Sequence, residues 1–315
     1  MAQDLVSVLI PCFNAERVIG ETLESVFRQT WRNLEVIVVD DGSADGSVSV
    51  VQRFAREGLQ LIRQQNAGAA AARNEAFRQC QGDYIQYLDC DDIIDPFKIE
   101  TQMRRIGGRP DRIASARWGR FVANPEDVLF EPESNWCDLD PVEWLVRSRV
   151  DGLGMLFPAL WLIPRQVAER AGPWDETLSL GDDGEFFTRI VLASDQVLFC
   201  EEASCRYRSG NPSSLSRRVS PAAFSSALRV IELSEAHVRA REDSDRVRRG
   251  FALSWQHLAH AAYPYHPAVA KEALLQAKAL HDVEVRPDGG ARFRVLARVF
   301  GWRIARKMQV LSGRP

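Results

Sequence analysis

The sequence predicts an α/β fold: a doubly wound, mostly parallel sheet followed by a helical C-terminal extension. Three observations carry that prediction. Short apolar runs alternate with helix-period stretches as far as Asp95-Pro96, joined by short connections. Two of those runs, Val38-Val39-Asp40-Asp41-Gly42-Ser43 and Tyr84-Ile85-Gln86-Tyr87-Leu88-Asp89-Cys90-Asp91-Asp92, end abruptly in acid. Apolar runs of that length read as buried parallel strands, and the carboxylates then fall at strand C-termini, where open α/β sheets bind ligands. From Pro221 onward the pattern is helical and rich in Arg and Ala.

Taken in order, Val6-Ser7-Val8-Leu9-Ile10 is a strand and Pro11-Cys12-Phe13-Asn14 the loop that leaves it. A helix follows from about Glu16 to Gln29, with Val18, Ile19, Leu23, Val26 and Phe27 on its apolar side. Leu34 to Val39 is the second strand. Ser43-Ala44-Asp45-Gly46-Ser47 closes a loop and opens a helix through Val50, Val51 and Phe54. Leu59 to Arg63 is a third, shorter strand. Asn66-Ala67-Gly68 opens a small-residue helix through Phe77, and Gly82 precedes the Tyr84–Leu88 strand. Residues 111–165 read as irregular strands and loops carrying Trp118, Trp136, Trp144 and Trp161. Gly172-Pro173-Trp174-Asp175-Glu176 is a turn, and Gly181-Asp182-Asp183-Gly184-Glu185 starts an amphipathic helix through Phe186, Phe187, Ile190 and Val191. The helical region breaks near Tyr263-Pro264-Tyr265-His266-Pro267, and the last helix spans Arg292 to Leu311. The expected division is 1–218 and 219–315, the first part splitting at about residue 110.

Composition narrows the chemistry. The chain has 315 residues, 45% hydrophobic and 26% charged, with a net charge of -3, ordinary values for a globular protein. After residue 215 basic side chains outnumber acidic ones about two to one, leaving an acidic body and a basic tail. All five histidines lie at or after His237, so a histidine metal site or catalytic triad in the first two-thirds is excluded and carboxylates must do the work. The six cysteines show no CxxC spacing and read as reduced thiols. Met1-Ala2-Gln3-Asp4 does not open a signal peptide, and the longest uncharged stretch, Gly152 to Pro164, is too short to span a bilayer. The expected location is cytoplasmic. No nucleic-acid-binding motif is present.

With these segments in place the chain resembles the family 2 glycosyltransferases, whose nucleotide-sugar half is the GT-A fold. The likeness runs through Val6-Ser7-Val8-Leu9-Ile10-Pro11-Cys12-Phe13-Asn14, Glu35-Val36-Ile37-Val38-Val39-Asp40-Asp41-Gly42-Ser43, Asn66-Ala67-Gly68, Ala72-Arg73-Asn74, Leu88-Asp89-Cys90-Asp91-Asp92 and Gly172-Pro173-Trp174-Asp175-Glu176. Asp182-Asp183 sits where the family has a Glu-Asp pair. It covers roughly residues 5–215, with 5–110 as the nucleotide-sugar side and 111–218 as the acceptor side. The resemblance implies an inverting enzyme that moves a sugar from a nucleotide-diphosphate sugar, a UDP-sugar first among them, to a glycan or lipid-linked acceptor in bacterial surface polysaccharide synthesis. One departure is Gly210, where many members carry a histidine after Tyr207-Arg208.

The resemblance also assigns roles. Asp41 would accept a hydrogen bond from the nucleotide base, with Pro11 and Phe13 lining the pocket; the competing readings are a helix cap for Asp41 and core packing for Phe13. Gly68 and its small neighbours would let backbone approach the nucleotide. Arg73 would face the nucleotide or make a structural ion pair. Asp89 and Asp91 form a DxD pair suited to Mn²⁺ or Mg²⁺, hard cations that bind diphosphate with one or two carboxylates; Asp91 is the direct ligand and Asp89 lies nearer the ribose. Asp92 caps the next helix or belongs to the site. Asp183 is the general base, kept ionised by a helix N-terminus, unless it is only an N-cap.

The last helix has Phe293, Leu296, Phe300, Ile304, Met308 and Leu311 at helical spacing among arginines, with no acid after Asp288. It fits either an anionic membrane surface, peripheral on the inner face of the plasma membrane, or an apolar stripe docked on the catalytic domain. Two rival functions stand beside the transferase. A sugar-phosphate nucleotidyltransferase would need a Gly-rich phosphate loop after the first strand, and a non-catalytic membrane-docked nucleotide-sugar-binding or glycan-binding module would have lost the base or the DxD acids.

Overall fold

The computed structural model describes residues 4–55, 58–150, 155–210, 220–263, 265–283 and 290–311. The expected boundary at 218/219, Pro264 in the expected helix break, and Asp288 lie outside them. Strand β1 (Val6–Cys12) is buried along its whole length, as a continuous apolar run should be at the centre of a parallel sheet. Helix α1 (Ile19–Phe27) follows, starting later than the expected Glu16. Glu16 is instead used by the facing loop: its amide donates to the Asp45 carboxylate and its own carboxylate accepts from Gly46 N. Then come β2 (Leu34–Asp40), α2 (Ser47–Gln52), β3 (Leu59–Arg63), α3 (Ala69–Gln79) and β4 (Tyr84–Tyr87). These strands pair in parallel in the order β3-β2-β1-β4, so the C-terminal ends of β1, β2 and β4 lie side by side.

The second half differs from the expected irregular strands and loops. After β5 (Ile93–Ile94) and α4 (Lys98–Ile106) comes the ten-residue strand β6 (Arg112–Phe121), then α5 (Pro141–Val150), β7 (Ile163–Pro164) and α6 (Arg165–Ala171). Helix α5 escapes periodicity because Val142, Trp144, Leu145, Val146 and Ser148 are buried on more than one side, leaving no polar face to set off a stripe. Strand β7 joins the first sheet antiparallel to β4. Helix α7 (Asp182–Ala193) leads to β8 (Gln196–Arg208), the middle strand of a second sheet, β5-β8-β6. Buried Lys98 bridges the halves: its Nζ donates to Gln86 Oε1 of β4 (2.6 Å) and Gln102 Oε1 of α4 (2.7 Å). Gln102 in turn donates to the Ala114 carbonyl of β6.

Five helices complete the described chain: α8 (Pro221–Arg241), α9 (Asp245–Ala262), α10 (Pro267–Leu280), α11 (Ala291–Phe300) and α12 (Trp302–Leu311). Phe251 and Trp255 of α9 belong to the same contiguous core as the sheet. The single last helix of the expectation is two, because Gly301 sits at φ 80°, a left-handed conformation that ends α11. All six cysteines are free thiols. Among the described residues no helix is long and apolar enough to cross a membrane.

Candidate active site

The adjacent C-terminal ends of β1, β2 and β4 gather most of the residues singled out in the sequence. At the end of β1, Pro11 is buried while Phe13 projects, 47% exposed. An exposed ring at a strand's carboxyl end is not core packing, so the packed reading of Phe13 fails. Asn14 holds the loop in place with φ 49°, its amide donating to Ser43 Oγ and its Oδ1 accepting from Ala44 N.

Asp41 follows β2 and is buried. Its Oδ1 accepts from Gln64 Nε2 (2.7 Å) and Ala67 N (2.8 Å), and its Oδ2 from Gly68 N (2.9 Å). The carboxylate therefore organises the Asn66-Ala67-Gly68 turn at the start of α3 rather than capping the helix after Ser43. Gly68 itself has φ 96° and open space where a Cβ would stand, which leaves that turn accessible to a ligand's backbone-hugging approach.

Arg73 is buried in α3 and engages carboxylates from both halves of the fold. One terminal nitrogen donates to Asp89 Oδ1 at 2.7 Å, the other to Asp182 Oδ2 at 2.9 Å. Its guanidinium carbon lies 4.3 Å from the centre of the Trp174 ring, a cation–π contact. Burial works against its charge, but the two carboxylates outweigh that and hold its pKa above the usual value. The ion-pair reading of Arg73 is thus realised, with two of the acids singled out in the sequence as partners. The next residue, Asn74, donates to Trp174 O and Glu176 and accepts from Trp174 N. That fixes the Gly172–Glu176 turn against α3, a role the sequence did not reveal.

In the Asp89–Asp92 segment the three acids have separate environments. Asp89 is paired to Arg73. Asp92 is fully buried and accepts from Arg208 N (3.0 Å), so it ties the segment to the end of β8 and caps no helix; burial and the neighbouring Asp91 and Asp89 charges push its pKa well up. Asp91 has no side-chain donor among the described residues. Burial and the Asp89 charge push it to about 6, with Arg208 pulling the other way. Arg208 reaches this segment as well: its Nε donates to Asp91 O at 2.9 Å, it pairs with Glu21, and it stacks on Phe121. Nothing in the sequence distinguished this arginine beyond its place in Tyr207-Arg208. Gly210 explains itself geometrically: with φ 87° and a would-be Cβ 3.0 Å from Val122 Cγ1, a side chain there is strained.

Among the described residues no three acidic, thiol or imidazole side chains converge as a closed metal centre. The donors present still fit a divalent cation of the diphosphate-binding kind. Asp91 is a hard oxygen ligand outside any ion pair among the described residues, with the Asp89 carboxylate beside it, and Mg²⁺ or Mn²⁺ at such sites complete their shells with phosphate oxygens and water.

Asp183 sits in the first turn of α7, and Gly181 at the N-cap carries no side-chain cap, so Asp183 is not an N-cap residue. Its Oδ1 accepts from Gly184 N at 2.8 Å. Burial and the Asp182 charge push its pKa to about 7, with Arg73 opposing. The helix terminus was expected to keep this group ionised; desolvation and the like charge win instead. Glu185 is buried in an ion pair with Arg189 (2.7 Å) and beside His237 (3.3 Å), which removes it as an alternative base.

The crystal structure of S. aureus TarS 1-349 in complex with UDP-GlcNAc superposes over 98% of this chain and 92% of its own, with a TM-score of 0.70 at 16% identity; the shared architecture is the GT-A fold. The glycosyltransferase GlyA of Streptococcus pneumoniae is 34% identical over 223 residues, 66% of this chain and 31% of GlyA. An Escherichia coli relative, the UDP-Glc:alpha-D-GlcNAc-diphosphoundecaprenol beta-1,3-glucosyltransferase WfgD, is 40% identical over 100 residues, 31% of this chain and 40% of WfgD. The chain thus spans between about a third and two-fifths of these two curated relatives. The family model described as glycosyl transferase family 2 matches residues 7–165, about half of the chain, and the chain belongs to that family of glycosyltransferases.

Proposed function

We propose that the protein is an inverting transferase that moves a sugar from a nucleoside-diphosphate sugar, first among them a UDP-sugar, to a hydroxyl of a lipid-linked or glycan acceptor in bacterial polysaccharide synthesis. The observation that carries this reading is the Arg73 bridge: one buried guanidinium joins Asp89 of the donor side to Asp182, the neighbour of Asp183. A diphosphate-binding end and a proton-accepting end are thereby held in one rigid unit. TarS in complex with UDP-GlcNAc and the WfgD name, with its UDP-Glc donor and diphosphoundecaprenol acceptor, support the donor and acceptor classes.

In this reading Phe13 stacks on the base over buried Pro11. The open Gly68 turn, set by Asp41, lines the nucleotide's other side. Asp91, with Asp89 beside it, would hold Mn²⁺ or Mg²⁺ against the diphosphate. The cation would offset negative charge on the departing group. Asp183 takes the proton of the acceptor hydroxyl as its oxygen bonds to the anomeric carbon and the nucleoside diphosphate leaves. A carboxyl near neutrality is matched to that task. One attack opposite the leaving group inverts the centre. The intact Asp91 and Asp183 weigh against a module that only binds sugars, and Pro11-Cys12-Phe13-Asn14 against a nucleotidyltransferase phosphate loop. The test is a screen of nucleoside diphosphates with and without Mn²⁺ by thermal shift, followed by transfer assays with the sugars of the nucleotide that binds. Stabilisation by a nucleoside diphosphate that grows with Mn²⁺ is expected; none by any nucleotide would overturn the reading.

A further inference from the structure

The two C-terminal helices leave an unusual surface. One side is anchored: Phe293 and Ala305 are buried, and the Trp302 ring meets His260 at 4.6 Å and Tyr263 at 5.3 Å on the α9 end. The docked stripe expected for the last helix is thus realised at Phe293, while Phe300, Ile304 and Met308 of the same stripe are exposed. On the outer side α11 exposes Val295 and Val299, four residues apart and 66% exposed at Val299. Helix α12 exposes Ile304 and Met308 with the same spacing, and Phe300 stands at the corner beside Gly301. Arg298, Arg303 and Lys307 are exposed among them, and no acid follows Asp288. Apolar side chains interleaved with basic ones, on helices too short to cross a bilayer, are the composition of an interfacial anchor.

We infer that the α11–α12 hairpin docks on an anionic lipid bilayer, its apolar pairs at headgroup depth and its basic residues on lipid phosphates. A second copy of this chain is the poorer occupant, because face-to-face pairing would bring only like charges together. The surface deepens the transferase reading by placing the enzyme beside a lipid-linked acceptor, and it rests on that reading only for what the docking serves.

The test uses the full chain with phosphatidylcholine vesicles and with mixed phosphatidylcholine–phosphatidylglycerol vesicles in a flotation assay. Binding to the mixed vesicles alone is expected, weakening as salt rises. Arg298→Gln with Arg303→Gln should weaken partitioning roughly thirtyfold, from about one lost lipid contact per charge. Ile304→Glu, at an exposed position, should abolish it with the melting temperature unchanged. No flotation at low salt, equal flotation of the variants, or hairpin-dependent self-association without lipid binding each overturns the proposal. Transfer to a water-soluble acceptor should be the same in all variants. If vesicle binding holds while no nucleotide sugar is ever turned over, the transferase reading fails and the docking surface stands.

Discussion

Replacing Asp183 by Asn tests the chemistry most directly, because the structure separates its catalytic and structural consequences. Asn keeps the size and an oxygen that can accept from Gly184 N, but it cannot take a proton. With the carboxyl pushed to about 7, roughly half the molecules carry the ionised base at pH 7. Wild-type kcat/KM should therefore fall about tenfold per pH unit below that point and level off above it. The acid limb belongs to the coupled Asp182–Asp183 pair rather than to one residue alone. Asp183→Asn should lose on the order of 10²–10⁴-fold in rate and lose the limb as well, while donor affinity holds. Stability should move the other way. The native carboxyl keeps its proton between about pH 4 and 7, where the unfolded chain has lost it. Stability therefore falls as pH rises from about 4 to about 7 and stays at the lower level above that, and Asn removes that loss. The melting temperature at pH 8 should hold or rise. The assays are nucleotide release across pH 5–9 at saturating acceptor, and thermal melts at pH 5 and pH 8. Near-wild-type turnover in the Asn variant would refute the base assignment and leave Asp182 as the remaining candidate on α7, since Glu185 is committed to Arg189.

Three other substitutions probe the rest of the site. Asp91→Asn should abolish the Mn²⁺-dependent part of the thermal stabilisation given by a nucleoside diphosphate, and an unchanged shift would remove Asp91 as a ligand. Arg73→Ala strips the shared cation from two partly buried carboxylates and should cost about 3–5 kcal/mol in urea unfolding, with Arg73→Lys intermediate because it cannot reach both acids with one planar fork; a loss below about 1 kcal/mol would show that the bridge is not structural. Phe13→Ala should weaken nucleotide binding by about 1–3 kcal/mol in calorimetry and leave the melting temperature of the free protein alone, because the ring is half exposed; equal affinity would take the base pocket elsewhere.

Legibility in the sequence followed physical range. The central strands and their terminal acids were readable because a strand buried on both faces is a continuous apolar run whose end is a sudden change of polarity. Helix α5 was not, since burial on several sides removes the periodic signal. The break at Gly301 was hidden because Phe293, Phe300 and Ile304 keep helical spacing straight across it. Only the left-handed φ of that glycine turns the chain. Within the site, residue types were visible but partners were not. Asp41 was read as a ligand group or a cap after Ser43, and it holds a turn some 25 residues away. Asn74 and Arg208 were seen only as members of motifs, yet both tie together segments distant in sequence.

Charge accounting explains why this particular pairing matters. Asp89, Asp91, Asp182 and Asp183 act on one another as like charges, and Arg73 is the buried cation that pairs with them, Arg208 drawing on Asp91 without an ion pair to it. Arg73 takes the nearer member of each pair, Asp89 and Asp182. Asp91 and Asp183 are left outside any ion pair among the described residues, and they are the two pushed to about 6 and about 7. A fully balanced cluster would have no reason to attract a cation or a proton. The imbalance leaves one carboxylate that would gain from a divalent cation and another that would gain from a proton, and a metal-assisted transfer with general-base catalysis needs those two functions. Removing the like charge beside Asp183 should therefore move the rate profile. Asp182→Asn, which leaves Arg73 its pair with Asp89, should draw the base's pKa down, shift the acid limb of the rate profile below pH 7, and lower the plateau rate through weaker proton acceptance. An acid limb that stays at about 7 in that variant would mean that the limb reports some other group.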